Sequence, residues 1–155
     1  MRLRETLFCV SGILFFSFLL NFFWESVHGY SLYADHVIAS DKYVGMMVYV
    51  SLMDALTVLG AYLICAAAGK DILWLTKNNR NLLIYFFALG IIVGAGAEYW
   101  AVYAAHEWHY NDRMPVIFGI GLSPLLQLGV TGLLAVWLTA RLLKCGQNNN
   151  FAKRQ

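Results

Sequence analysis

The stretch Leu7-FCVSGILFFSFLLNFFWESV-His28 decides the fold. It carries no charge before Glu25 and exceeds the roughly 20 residues that cross the hydrocarbon core of a bilayer as a helix. Leu7 to Val27 is too long for the apolar core of a secretory signal peptide, and no A-x-A-like cleavage site follows, so the expectation is a retained helix. Three further stretches of the same kind run from about Tyr43 to Gly69, Leu82 to Trp108 and Val116 to Ala140. None of them alternates apolar and polar residues as a barrel strand would, and a helix satisfies its own backbone in lipid. The class is therefore all-α: a polytopic membrane protein, a bundle of four transmembrane helices forming one domain over residues 1–155, with a polar tail at 146–155 that is expected to fray.

Composition agrees. The 155 residues are 60% hydrophobic and only 13% charged, with a mean hydropathy of +0.60, whereas globular chains are about one quarter charged. A water-soluble enzyme, a disordered chain and a disulfide scaffold are excluded, the last because Cys9, Cys65 and Cys145 are three and sit in or near apolar runs. A net charge of +2 gives no sign of nucleic-acid binding.

Short loops let Lys and Arg set the orientation. Arg2, Arg4, Lys70, Lys77, Arg80, Arg141, Lys144, Lys153 and Arg154 fall on one side, and only Lys42 and Arg113 on the other. Both termini are thus expected in the cytoplasm, in a cell (plasma or inner) membrane, with outward loops of about 12 and 7 residues.

Ionisable groups at membrane depth are costly, so each is a site candidate. Asn21, Glu25 and His28 are spaced i, i+4, i+7 and share one face of the first span, with Ser17 extending the stripe. Asp54 lies near the middle of the second span beside Ser51. Glu98 lies in the third, and a helix continuing to Trp108 would put His109 on its face and His106 about 80° away. In the fourth span Ser123, Gln127 and Thr131 form another stripe, and Pro124, with Gly119 and Gly121 before it, should bend the helix. Gly90 and Gly94 form a G-x-x-x-G, a signature of close helix packing. The stripes converge on a cavity opening outward.

Three kinds of chemistry, and one structural role, fit that arrangement. Glu98, Asp54 and Glu25 are the candidate catalytic acids, since no Lys or Arg within a span can pair with them; they would be neutralised by protonation, by hydrogen bonds or by a bound cation. Together with Asn21, Trp24, Trp100 and Gln127 as substrate-binding groups, they point to acid–base chemistry on, or binding of, a lipophilic isoprenoid, sterol or quinone-like molecule. The H-x-x-H pair His106 and His109, with His28, is the alternative: a divalent metal site of the kind zinc accepts. A mid-membrane Asp and Glu also describe a proton or cation transporter, for which four helices would want a homo-oligomer, and a small structural subunit of a membrane complex has the same composition. Expected partners are the lipid bilayer and a lipophilic small molecule.

The motifs Asn21-Phe-Phe-Trp24-Glu25, Leu32-Tyr33, Glu98 ahead of Trp108-His109-Tyr110, Met114-Pro115 and Gly121-Leu-Ser-Pro-Leu-Leu-Gln127 resemble a pattern in a group of small four-span prokaryotic membrane proteins of uncharacterised function. The resemblance spans all but the second span and the tail. It implies the same four-helix architecture and carries no activity.

Overall fold

A computed structural model of the chain describes residues 2–34, 39–77 and 79–152. Four helices account for most of it: α1 (Arg2–Leu32), α2 (Ser40–Ala68), α3 (Arg80–Tyr99) and α4 (Leu122–Ala152). Each contains a segment long and apolar enough to cross a membrane, and the chain is a multi-pass membrane protein built as a four-helix bundle. The start of α1, the end of α4 and the connection from α2 to α3 lie at one end, the terminal end. The connections 33–39 and 105–121 form the loop end.

Several boundaries differ from the hydropathy reading. The third helix does not reach Trp108: its last turn, Trp100–Ala104, widens into a π-helix, with the Ala105 amide donating to the Trp100 carbonyl at 2.8 Å. His106 then takes a left-handed φ of 55° and reverses the chain. The fourth helix begins at Leu122, not Val116, because residues 116–121 fold as a hairpin of β1 (Val116–Ile117) on β2 (Ile120–Gly121). Its two turn residues, Phe118 and Gly119, both have positive φ (52° and 83°), which matches the twist of a tight primed turn. Pro124 thereby falls in the first turn of α4, where the amide it lacks would have had no helical partner, and so it starts the helix instead of bending its middle. The tail does not fray at Gly146: α4 continues through it to Ala152.

At the terminal end the core is aromatic. Trp74, in a 3-10 turn at Trp74–Lys77, is only 1% exposed and lies between Tyr62 and Phe86, with ring centroids 5.1 and 6.0 Å away. Lipid offers apolar groups no advantage for burial, so helices in it associate through close backbone approach. Gly90 of α3 supplies that approach: a Cβ there would stand 2.8 Å from the Gly129 backbone of α4. Gly12 of α1 instead makes room for a side chain of α4: a Cβ there would stand 2.9 Å from Thr139 Cγ2. The pairs α1–α2, α1–α4 and α3–α4 pack extensively, and α2 meets α3 less. Where α2 and α3 do meet is the terminal end, with Gly69 against Leu82 and Val58 sharing a buried cluster with Phe86.

Candidate functional site

The polar stripes of α1 and α4 face each other across the bundle, as their helical phase requires. Asn21 and Gln127 are both buried, at 0% and 3% exposure. The Gln127 amide nitrogen lies 2.7 Å from Glu25 Oε1, 2.9 Å from Asp54 Oδ2 and 3.2 Å from Asn21 Oδ1. One side-chain amide has two hydrogens, so three acceptors crowd a single donor group. Thr131 adds a hydroxyl donating to Asn21 Oδ1 at 3.0 Å, and Asn21 Nδ2 in turn donates to the Ser17 carbonyl at 2.9 Å. Asp54, the midpoint of α2, is thereby tied to α1 and α4 through one glutamine.

Glu98 is held separately. It is 5% exposed, and its Oε1 receives three donors: the Tyr110 hydroxyl at 2.8 Å, the Tyr33 hydroxyl at 2.9 Å and the Trp108 indole N–H at 3.2 Å. These donors come from two connections that are zipped together. Tyr33 and Tyr110 form an antiparallel bridge, the Ala34 amide donates to the His109 carbonyl at 2.9 Å, and the Asn111 amide to the Leu32 carbonyl at 3.0 Å. Tyr33 also stacks on Tyr110, with ring centroids 5.8 Å apart. Burial, reinforced by the neighbouring Glu98 carboxyl, pushes the Tyr33 hydroxyl above the ordinary tyrosine range, and burial raises Tyr110 in the same way. Both therefore remain donors.

Glu25, Asp54, Glu98 and Gln127 line one cavity of about 120 Å³, so the three carboxyls singled out in the sequence are brought together. No Lys or Arg lines it; among the described residues the one ion pair, Lys77 with Asp71 at 2.9 Å, lies at the terminal end.

Other expected members are elsewhere. Trp100 is 60% exposed on the outside of α3 and does not line the cavity. Trp24 serves as a tie, its indole N–H donating to the Ser123 hydroxyl of α4 at 3.2 Å. His28 is buried against the Tyr33 ring, with centroids 4.7 Å apart, while His106 and His109 are exposed on the connection after α3. The three histidines are not assembled as ligands, and among the described residues no three His, Cys, Asp or Glu side chains form a metal-binding group. The reason is the end of the helix: once the π-helical turn after α3 stops at Ala104, His109 no longer inherits the phase of Glu98.

Tyr33, Trp108 and Tyr110 are the site residues that sequence reasoning missed. In the sequence the signal available was only their clustering with Glu98 in the quoted motifs.

Fold and site together define a four-helix, multi-pass membrane protein with a carboxyl-lined cavity. No family model, no curated protein and no solved structure matches the chain.

Proposed function

We propose that the protein binds a lipophilic small molecule in this cavity and that Glu98, Asp54 and Glu25 are its acid–base groups, either retaining the molecule or moving a proton on it. The observation that carries this reading is the set of three membrane-depth carboxyls on one cavity with no basic side chain among its lining residues. Such a set is costly in lipid, which marks it as a candidate functional site. A carboxyl can give and take a proton within hydrogen-bond reach of a bound group, and Tyr33 and Trp108 supply the aromatic walls. In orientation, the nine-to-two distribution of Lys and Arg supports cytoplasmic termini, a plasma or inner membrane, and a loop end facing outward. The motif resemblance to small prokaryotic four-span proteins supports the same setting.

The test is the lipid content of the protein purified in mild detergent. A single isoprenoid, sterol or quinone class at near-stoichiometric amount, lost in Glu98→Gln and Asp54→Asn variants that still fold, is the expected result. Wild-type protein carrying only bulk phospholipid would overturn the reading.

A second reading, proton or cation passage, is favoured by Asp54 alone, which lies 14 residues from either end of α2. Proton uptake into vesicles containing the purified protein, abolished by Asp54→Asn, distinguishes it.

A further inference from the structure

We infer that ligands reach the carboxyl cavity sideways, from the bilayer between α2 and α3, and that the site takes the hydrogen-bond-donating head of a membrane-dissolved amphiphile. This rests on reading the cavity as a binding site, and it adds the route and the chemical class.

The route follows from which walls are closed. Toward the loop end the described residues cap the cavity: Tyr33, Trp108 and Tyr110 converge on Glu98, and the strands carrying them are joined by the Tyr33–Tyr110 bridge and its flanking backbone bonds. Tyr33 is only 8% exposed. The rear wall is α1 on α4, which pack extensively and are cross-linked by Gln127 to Glu25 and by Trp24 to Ser123. The terminal end is filled by Trp74, Tyr62 and Phe86. With α1 on α2 and α3 on α4 also packed extensively, what is left is the seam between α2 and α3, the least packed of the neighbouring pairs. These helices touch toward the terminal end, at Gly69 and Leu82, and beyond it the cavity separates them. Met46 and Val50 of α2 line one side and Ala97 of α3 the other. Ala97 is exposed on the bundle surface while lining the cavity, so the cavity reaches the lipid-facing surface there. The two sides of this mouth are a flexible Met, a Val and an Ala, none with a charge to hold against hydrocarbon.

The class follows from volume and polarity. About 120 Å³ is less than a cavity of roughly 150 Å³ that takes a benzene ring, so it admits a small head group while the larger apolar part stays in the seam. Its polar lining is dominated by acceptors: the carboxyl oxygens of Glu25, Asp54 and Glu98. An anionic head, itself an acceptor, would find no basic residue to pair with. An alcohol or an ammonium head would meet acceptors.

The experiment uses two carbodiimides on the full-length protein in lipid vesicles: dicyclohexylcarbodiimide, which partitions into the bilayer, and a water-soluble ammonium-bearing carbodiimide. A carboxyl oxygen adds to the carbodiimide carbon as its proton passes to nitrogen, and migration of the acyl group from oxygen to nitrogen leaves a stable N-acylurea, with nothing released, that peptide mass spectrometry places on a residue. The expected result is labelling of Glu25, Asp54 or Glu98 by the lipid-soluble reagent and not by the water-soluble one. Ala97→Trp, which fills the mouth from an exposed position, should lose most of that labelling. Ile92→Trp, on the exposed face of α3 away from the cavity, should keep it, and matching elution on size exclusion establishes that both variants fold. Equal labelling by the water-soluble reagent, unchanged labelling in Ala97→Trp, or no labelling by either reagent would each overturn the lateral route. Failure of the binding reading looks different: lipid-soluble labelling blocked by Ala97→Trp, with no lipid retained by the purified protein, leaves the route intact and removes the ligand.

Discussion

The Tyr110 hydroxyl donates to Glu98 at 2.8 Å while accepting the Gly121 amide at 2.9 Å. One phenol thus links the buried carboxyl of α3 to the hairpin that leads into α4. Tyr33 makes a comparable bond to the same oxygen from the end of α1, so Glu98 is where both loop-end connections are anchored.

Tyr110→Phe removes a donor to Glu98 and strands the Gly121 amide, and Tyr33→Phe removes a donor alone. The expected losses of stability are about 2 kcal/mol for the first and about 1 kcal/mol for the second. Thermal unfolding in detergent measures both, and the double variant should cost more than the sum, since each hydroxyl partly satisfies the shared acceptor when the other is lost. Equal melting of Tyr110→Phe and wild type would show that the bond contributes nothing.

Alkaline pH should weaken the same anchor. Tyr33 and Tyr110 are raised above the tyrosine value of 10.0 in the folded protein, so their contribution is complete below the unfolded value and is lost as pH rises past it. Stability should be level up to about pH 9 and decline above about pH 10, with a shallower decline in Tyr33→Phe. A profile identical in wild type and variant would refute this assignment.

Two glycines of α3 should respond in opposite directions. Gly90→Ala puts a methyl 2.8 Å from the Gly129 backbone and forces α3 from α4, at a cost of about 1 to 3 kcal/mol. Gly96→Ala meets nothing within 4 Å and should stabilise by up to about 1 kcal/mol through helix propensity and a less flexible unfolded chain. Chemical denaturation of the two variants side by side checks the sign.

Glu98→Ala leaves Tyr33, Trp108 and Tyr110 without their acceptor and should cost on the order of 3 kcal/mol. Glu98→Gln keeps an acceptor oxygen and should remain folded while losing any activity that needs the carboxyl proton. Full activity in a folded Gln variant would remove Glu98 as the proton donor.

A green fluorescent protein fused after Gln155 should fluoresce, and alkaline phosphatase at the same place should be inactive, because nine Lys and Arg lie on the side of the termini. The reverse pair of outcomes would invert the orientation and with it the side from which the loop end is reached.

What could be read from the sequence is what depends on neighbours within one helix. Hydropathy summed along a segment measures its fit to the hydrocarbon core, so four spans were legible. The spacing from Asn21 to Glu25 and from Gln127 to Thr131 placed those groups on one face because both helices are regular there. Helical phase carries only as far as the helix, however. The π-turn at Trp100–Ala104 and the left-handed His106 cancel the extrapolation from Glu98 to His109 and bring Trp108 and Tyr110 back onto Glu98 instead. Val116 to Gly121 are apolar enough to read as membrane helix, yet pair as a hairpin because Phe118 and Gly119 turn with positive φ. Whether Glu25, Asp54 and Glu98 share a cavity, and where it opens, depends on how helices far apart in sequence cross. That is set by contacts such as Gly90 against Gly129, which local composition does not encode and only the tertiary packing decides.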